Sequence, residues 1–286
     1  MPKEETIELR HIRNTIGERE DLPTQSPRSS MTSRLQTLQL RTQGVPQLTH
    51  LYGAFEPDET LTFPVNSNLV TSIFTDGTYL YAGLGTSPGK VIKIDLKTFV
   101  IVKTLTFANG EDTVESLISD GIYLYVGLSI APGKIVKIKL SNFTKVGTLT
   151  LAAGENNIIP LFSDGTYLYA GTSTIPGKII KIDLSTFTSI STLTLDAGED
   201  QVTSLFTDGL YLYAGTFTIP GKIVKIDLST FTKVGTLTLS ANEDLVRTIF
   251  FDGTYLYAGL ETTPGKVVKI DLATFLFIAL NPHWAS

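Results

Sequence analysis

Residues 192–235 read TLTLDAGEDQVTSLFTDGLYLYAGTFTIPGKIVKIDLSTFTKVG, and this 44-residue unit decides the fold. It occurs five times in succession without a gap. Its Asp-Gly pair recurs at Gly77, Gly121, Gly165, Gly209 and Gly253, and its Pro-Gly-Lys triplet at Gly89, Gly133, Gly177, Gly221 and Gly265. A fixed period of this size is typical of a repeat architecture, in which each unit packs against its neighbours.

Each unit contains four runs that are rich in β-branched and aromatic residues, which predicts four strands. In the quoted copy these runs begin at Val202, Leu210, Lys222 and Lys233. Asp208-Gly209 predicts a tight hairpin between the first two strands, because such hairpins need a residue with positive φ. Pro220-Gly221 predicts the turn into the third strand. Four antiparallel strands joined by short turns are the pattern of one propeller blade.

We therefore expect an all-β fold, a five-bladed β-propeller of 44-residue four-stranded repeats with an extended N-terminal arm. The predicted domains are an arm or linker at residues 1–56 and a propeller at 57–286. The last copy loses the repeat pattern near its C-terminal end, so an N-terminal strand at about 59–65 is expected to close the ring by pairing with the last third strand. Such closure would leave no open sheet edge.

The run VTSLFTDGLYLYAG followed by KIVKIDLSTF resembles the YVTN-type repeat of β-propellers. In that family a DG-x-x-(L)Y-V/A stretch precedes a V-x-x-ID strand. The resemblance covers residues 57–280, although this chain has Pro-Gly-Lys where the family usually shows a Gly/Asn/Ser turn. It implies the architecture, on which many different functions are found.

Composition argues against catalysis. The chain has no cysteine, and its three histidines, His11, His50 and His283, all lie outside the repeats. The repeats therefore place no imidazole or thiol where it could act as a nucleophile, a base or a metal ligand. We expect no enzymatic activity, no catalytic residue, no metal and no cofactor. The charged N-terminus and the lack of a long apolar run predict a soluble protein without a signal peptide or membrane span.

One end of the propeller is predicted to carry repeated charges. The loop after the fourth strand is acidic, and the Pro-Gly-Lys turn should lie at the same end. Two interpretations are open: a solvated loop face, which we favour, or a ring of equivalent sites for a cation or polar ligand. The residues of this predicted loop face are Glu111, Asp112, Glu155, Glu199, Asp200, Glu243 and Asp244, with Lys90, Lys134, Lys178, Lys222 and Lys266.

Other repeated residues are expected to be structural. The Tyr-Leu-Tyr pairs should pack between blades with their phenol groups hydrogen-bonded. Lysines two residues before an aspartate, such as Lys93 before Asp95, predict a charge ladder across strands. Glu115 and Arg247 interrupt the repeat at one position, and we expect them to form a stabilising ion pair.

The N-terminal arm has few apolar residues, and its composition is typical of a segment that does not fold alone. Between residues 22 and 50 it holds three arginines and no acid, which is too little positive charge to favour nucleic acid as a partner. We expect residues 1–55 to dock on other proteins of an assembly. The predicted docking residues are Leu35, Leu38, Leu40 and Leu48, with Arg34 and Arg41.

The leading hypothesis is a non-enzymatic structural or interaction protein that is displayed on a larger assembly. A virion head or tail accessory component is its most concrete form. The alternative is a lectin-like propeller with one glycan site in each blade. Lectin sites of this kind usually present tryptophan, and the single tryptophan here, Trp284, lies in the tail.

Overall fold

The computed structural model describes residues 59–272, which include four complete repeats and most of the fifth. These residues belong to a compact unit that begins at Glu59, and all of their strands lie in antiparallel sheets. The predicted arm at residues 1–56, and with it the predicted docking residues, lies outside the described residues.

Between residues 59 and 272, nineteen strands form five sheets, which we number as blades 1 to 5 in chain order. Blade 1 consists of β1 Val70–Thr75, β2 Tyr79–Leu84, β3 Lys90–Asp95 and β4 Ile101–Thr106. Blade 2 consists of β5 Val114–Ser119, β6 Tyr123–Leu128, β7 Lys134–Lys139 and β8 Thr144–Thr150. Blade 3 consists of β9 Ile158–Ser163, β10 Tyr167–Thr172, β11 Lys178–Asp183 and β12 Thr188–Thr194. Blade 4 consists of β13 Val202–Thr207, β14 Tyr211–Thr216, β15 Lys222–Asp227 and β16 Thr232–Thr238. Blade 5 has three described strands, β17 Val246–Phe251, β18 Tyr255–Leu260 and β19 Lys266–Asp271.

Each blade is a meander in which every strand pairs with the next one along the chain. The predicted turns lie where the sequence indicates. Gly209 between β13 and β14 has a φ of 95°, which an L side chain rarely adopts, and Pro220-Gly221 links β14 to β15. The all-β prediction and the 44-residue, four-stranded repeat are therefore confirmed, and the five sheets fit a five-bladed propeller.

The blades are held together by apolar layers between neighbours. The layer between blades 1 and 2 contains Tyr81 and Val91 from one blade and Val114, Leu117 and Phe143 from the other. Equivalent layers lie between blades 2 and 3, 3 and 4, and 4 and 5. First strands of successive blades also contact each other, which places them at the centre of the array.

Close packing explains the glycine in each second strand. A Cβ atom added at Gly171 would lie 2.6 Å from Val202 Cγ1 of the next blade, and one added at Gly215 would lie 2.6 Å from Val246 Cγ1. Only glycine therefore lets the following first strand approach this closely.

The strand predicted at 59–65 to close the ring is not present. Residues 59–69 form no strand, and β19 pairs only with β18 among the described strands. Leu61 and Phe63 instead pack on an apolar cluster of blade 1. The strands of blades 1 and 5 do not pack together as those of neighbouring blades do. Among the described residues, Thr60–Phe63 is therefore not paired with the last third strand.

Candidate functional site

A backbone hydrogen bond joins the two kinds of loop that carry the residues of the predicted loop face. The N–H of Gly89, in the Pro-Gly-Lys turn of blade 1, donates to the carbonyl of Glu111, in the loop before blade 2, at 2.8 Å. The same bond joins Gly133 to Glu155, Gly177 to Glu199 and Gly221 to Glu243. The loops that carry the repeated acids and lysines therefore lie at the same end of the blades.

Three glutamates of this face join neighbouring blades by hydrogen bonds, and we call them latches. Glu111, Glu155 and Glu199 are buried. Oε2 of each accepts an N–H from its own loop, and Oε1 accepts the hydroxyl of a threonine in the fourth strand of the next blade. Carboxylates used in this way have few lone pairs left for a ligand.

Two of these latches also contain a lysine of the next blade. Lys145 pairs with Glu111, and Lys233 Nζ lies 2.5 Å from Glu199 Oε1 and 2.6 Å from Asp196 Oδ2. Burial would raise the pKa of Glu111, but hydrogen bonds from Lys145, Thr148 and its own loop outweigh this effect and leave that pKa below its ordinary value. Burial likewise opposes protonation of Lys233, yet its two acidic partners raise its pKa.

The lysines of the Pro-Gly-Lys turns are occupied as well. Each ammonium donates to a backbone carbonyl of the loop that precedes its own blade. Distances are 2.6 Å from Lys134 to Gly110, 2.9 Å from Lys178 to Gly154, 2.7 Å from Lys222 to Gly198 and 2.6 Å from Lys266 to Asn242. Lys90 donates to Asn66 in the same way. These lysines hold the loops in place rather than pointing at a common centre.

The remaining aspartates of the loop face differ from one another. Asp112 accepts a hydrogen bond from Ser87 at 2.9 Å. Oδ1 of Asp200 is buried without a hydrogen-bond partner in the described part of the chain. Asp244 lines an open pocket of 370 Å³ between blades 4 and 5, together with Lys266 and Glu261. This pocket brings charged groups of the loop face around a concavity.

The pocket has limited chemistry. Glu261 is already paired with Arg247, and Lys266 is bound to the Asn242 carbonyl. Between residues 59 and 272, no cluster of three or more His, Cys, Asp or Glu side chains is placed to hold a metal ion. Asp244 with the apolar neighbours Ile219, Leu245 and Pro264 could contact a small polar molecule, but it offers no nucleophile and base pair.

The predicted ion pair between Glu115 and Arg247 is not formed. Both residues lie at an irregularity of the first strand, where the pairing register shifts between Val114 and Ser116 and between Val246 and Thr248. Arg247 pairs with Glu261 and stacks 4.5 Å from the ring centre of Phe217. Burial raises the pKa of Glu115. Arg247 therefore has its acidic partner in its own blade, a contact that the sequence alone does not reveal.

The tyrosine pairs pack as predicted. Tyr81 lies against Phe143 of the next blade at 5.8 Å between ring centres, and its hydroxyl donates to Asp76 Oδ2 at 2.8 Å. Tyr125 and Tyr169 repeat this arrangement with Phe187 and Phe231. Burial, and next the hydrogen bond to the aspartate, raise the pKa of all three tyrosines. The phenylalanine partners could have been found from the sequence, since they recur every 44 residues.

The predicted lysine and aspartate ladder is replaced by a different contact. Lys93 Nζ lies 3.6 Å from the centre of the Tyr79 ring, and Lys137, Lys181, Lys225 and Lys269 stand over Tyr123, Tyr167, Tyr211 and Tyr255 at 3.5 to 4.1 Å. Asp95 instead accepts the N–H groups of Lys97 and Thr98 and so caps the turn after β3. A cation over an aromatic face needs no carboxylate, which explains why Lys139 is tolerated in place of aspartate.

Comparison with known proteins gives the fold and no more. No protein-family model matches the chain, and no curated protein matches it. Among solved structures, the chain is similar to hydrazine synthase of Kuenenia stuttgartiensis, a propeller-containing protein, with a TM-score of 0.61 and 15% identity over 76% of this chain and 70% of that one. In the described range, no helix has the length and apolar character that crossing a bilayer would require.

Proposed function

We propose that this chain is a non-enzymatic structural or interaction protein, in which the propeller is a rigid body docked on a larger assembly through residues 1–55. The observation that supports the proposal most strongly is the use of the repeated polar groups. Glu111, Glu155 and Glu199 hold neighbouring blades, and the lysines of the Pro-Gly-Lys turns hold loops. The repeated side chains therefore serve the body itself.

The arm supplies the docking part of the proposal. Ordering a backbone costs about 1–2 kcal/mol per residue, and residues 1–50 have too few apolar side chains to offset that cost alone. A partner would supply the missing burial around Leu35, Leu38, Leu40 and Leu48, with Arg34 and Arg41 beside acidic groups. A virion accessory component is the specific form of assembly protein that we propose, and we assign the repeat to the YVTN type.

The lectin-like alternative is less well supported by the described residues. Sugar rings stack on aromatic side chains that are open to solvent. Tyr81, Tyr125, Tyr169 and Tyr213 are buried between blades. The other tyrosine of each pair has a lysine ammonium over its ring. Glycan binding is therefore the second outcome in the experiment below.

The test compares wild-type protein with a variant in which Leu35, Leu38, Leu40 and Leu48 are replaced by Asp. Both are produced in the source system, and particles are separated by density-gradient centrifugation. We expect wild-type protein to sediment with particles and the variant to remain at the top of the gradient with an unchanged melting temperature. Ile190→Asp, an exposed substitution in β12, is the control and should sediment like the wild type.

Two results would count against the proposal. One is wild-type protein that stays at the top of the gradient, and the other is a quadruple variant that still sediments with particles. Binding of the purified wild-type protein to a glycan array, unaffected by the four leucine substitutions, would favour the lectin-like alternative.

A further inference from the structure

Several apolar residues at the two ends of the blade array are more exposed than their equivalents inside the array, which are buried or half-buried. We call Val70, Ile73 and Phe99 of blade 1 the leading face. Ile73 is 65% exposed, whereas its equivalents Leu117, Leu205 and Ile249 are 5 to 9% exposed and Leu161 is half-buried. Val70 is 50% exposed, while the equivalent residues Val114, Ile158, Val202 and Val246 are fully buried.

Blade 5 shows the matching feature, which we call the trailing face and which comprises Tyr257, Gly259 and Val267. Val267 is 74% exposed, whereas Val91, Ile135, Ile179 and Ile223 at its position are fully buried. A Cβ atom added at Gly83, Gly127, Gly171 or Gly215 would meet a Val or Ile of the next blade, but one added at Gly259 would meet only Thr248 of its own sheet.

These two faces are complementary because each has the residues of one side of the contact that neighbouring blades make inside the array. Inside the array, a trailing face already packs against a leading face four times. Each such contact fits a first-strand Val or Ile against the glycine, and in three of them Tyr81, Tyr125 or Tyr169 stacks on a phenylalanine at 5.8 to 5.9 Å. At the ends, Val70 and Phe99 are the unused partners of Gly259 and Tyr257.

The segment before blade 1 also resembles a part of the contact between neighbouring blades. Thr60–Phe63 has the sequence TLTF, like residues 104–107 at the end of the fourth strand of blade 1. Leu61 and Phe63 pack on blade 1, while Leu105 and Phe107 pack on blade 2 in the same way. Lys90 donates to the Asn66 carbonyl as Lys134 does to Gly110. The segment thus lies where the fourth strand of a preceding blade would lie.

The sequence of the last copy departs from the repeat at the position of that part of the fourth strand. Where blade 4 has TLTL at 236–239, the last copy has LNPH at 280–283. The proline has no N–H and the polar residues replace the two inward leucines, so this stretch is a poor partner for the edge of β19.

We infer that a second copy of this chain completes blade 5, with the leading face of one copy packed on the trailing face of the next. Thr60–Phe63 of one copy adds to the edge of β19 of its neighbour, with Leu61 opposite Val267 as Leu105 is opposite Val91. The contact is heterologous, because each copy uses two different surfaces. Copies therefore join head to tail, into a closed ring or an open filament.

Light scattering after size exclusion and sedimentation velocity test this on the full chain. The wild type should form multiples of the chain mass that grow with concentration. Ile73→Asp removes the leading face and Val267→Asp the trailing face, so each variant alone should be monomeric. Ile190→Asp, half exposed on β12 away from both faces, is the matched control and should associate like the wild type.

The decisive step is to mix the two monomeric variants. One retains an intact trailing face and the other an intact leading face, so the mixture should form a dimer and nothing larger. A wild-type protein that is monomeric at all concentrations would overturn the inference, and it would indicate that the chain covers its own end faces. Failure of the mixture to dimerise would also overturn it. The wild-type mass decides the question even if a variant fails to fold.

Discussion

Replacing Glu199 by alanine should weaken the contact between blades 3 and 4 more than any other single change on the loop face. Glu199 is 3% exposed and accepts hydrogen bonds from Asp196 N–H at 3.0 Å, from the Thr236 hydroxyl and from Lys233. Leaving a buried donor unpaired costs about 1–3 kcal/mol. Lys233 retains Asp196, which limits its share of the loss. We expect the free energy of unfolding to fall by about 3–4 kcal/mol.

The repeat provides a matched control in Glu243→Ala. Glu243 occupies the same position but is half-buried, and among the described residues its carboxylate accepts only the Ser240 N–H, at 2.9 Å. We expect a loss of about 0.5–1.5 kcal/mol there. Urea unfolding followed by circular dichroism measures both variants. Equal losses for Glu199→Ala and Glu243→Ala would refute the assignment of Glu199 as a latch.

Three further changes test other contacts of the repeat. The wild type should be more stable than Glu111→Gln above pH 4.5, the ordinary pKa of this carboxyl. The difference in stability should disappear as the pH falls through the lowered pKa of the folded state. Urea midpoints at several pH values measure this, and a difference that stays constant with pH would contradict it. Phe143→Ala should lower the free energy of unfolding by about 3–5 kcal/mol, because Phe143 is buried against Tyr81. Phe99→Ala should lower it far less in monomeric protein, and similar melting temperatures of the two variants would contradict this. Tyr169→Phe should cost about 1 kcal/mol through the lost bond to Asp164, measured by urea unfolding, and an unchanged midpoint would count against that bond.

Much of the fold follows from the sequence because the period, the turns and the strand residues agree with one another. The prediction of strands starting at Val202 and Lys222 matches β13 and β15, and the positive φ at Gly209 matches its Asp-Gly turn. Five repeats without an insertion allow each assignment to be checked four times. The loop face could be predicted in the same way, since two loops of an antiparallel meander return to the same end.

Side-chain partners were harder to predict, because they depend on distances across blades that the sequence does not contain. Glu111 is an acid in a polar loop, which suggests solvent exposure, but its carboxylate is buried against the next blade. Arg247 lies at a bulge and pairs with Glu261 rather than with Glu115. Ring closure depends on the rotation between successive blades, and a repeat sequence does not state that rotation. The arm residues lie outside the described residues, and their role stays a prediction.

Hydrogen exchange of the isolated chain, at a concentration at which it is monomeric, tests the division into a rigid body and a docking arm most directly. We predict strong protection in the blades, from Val70 to Asp271, where strand amides pair within each sheet. Amides of residues 1–50 should exchange at the rates of an unstructured peptide until the assembly is added. Protection of residues 1–50 equal to that of the blades, with no assembly present, would contradict the account by making the arm part of the propeller.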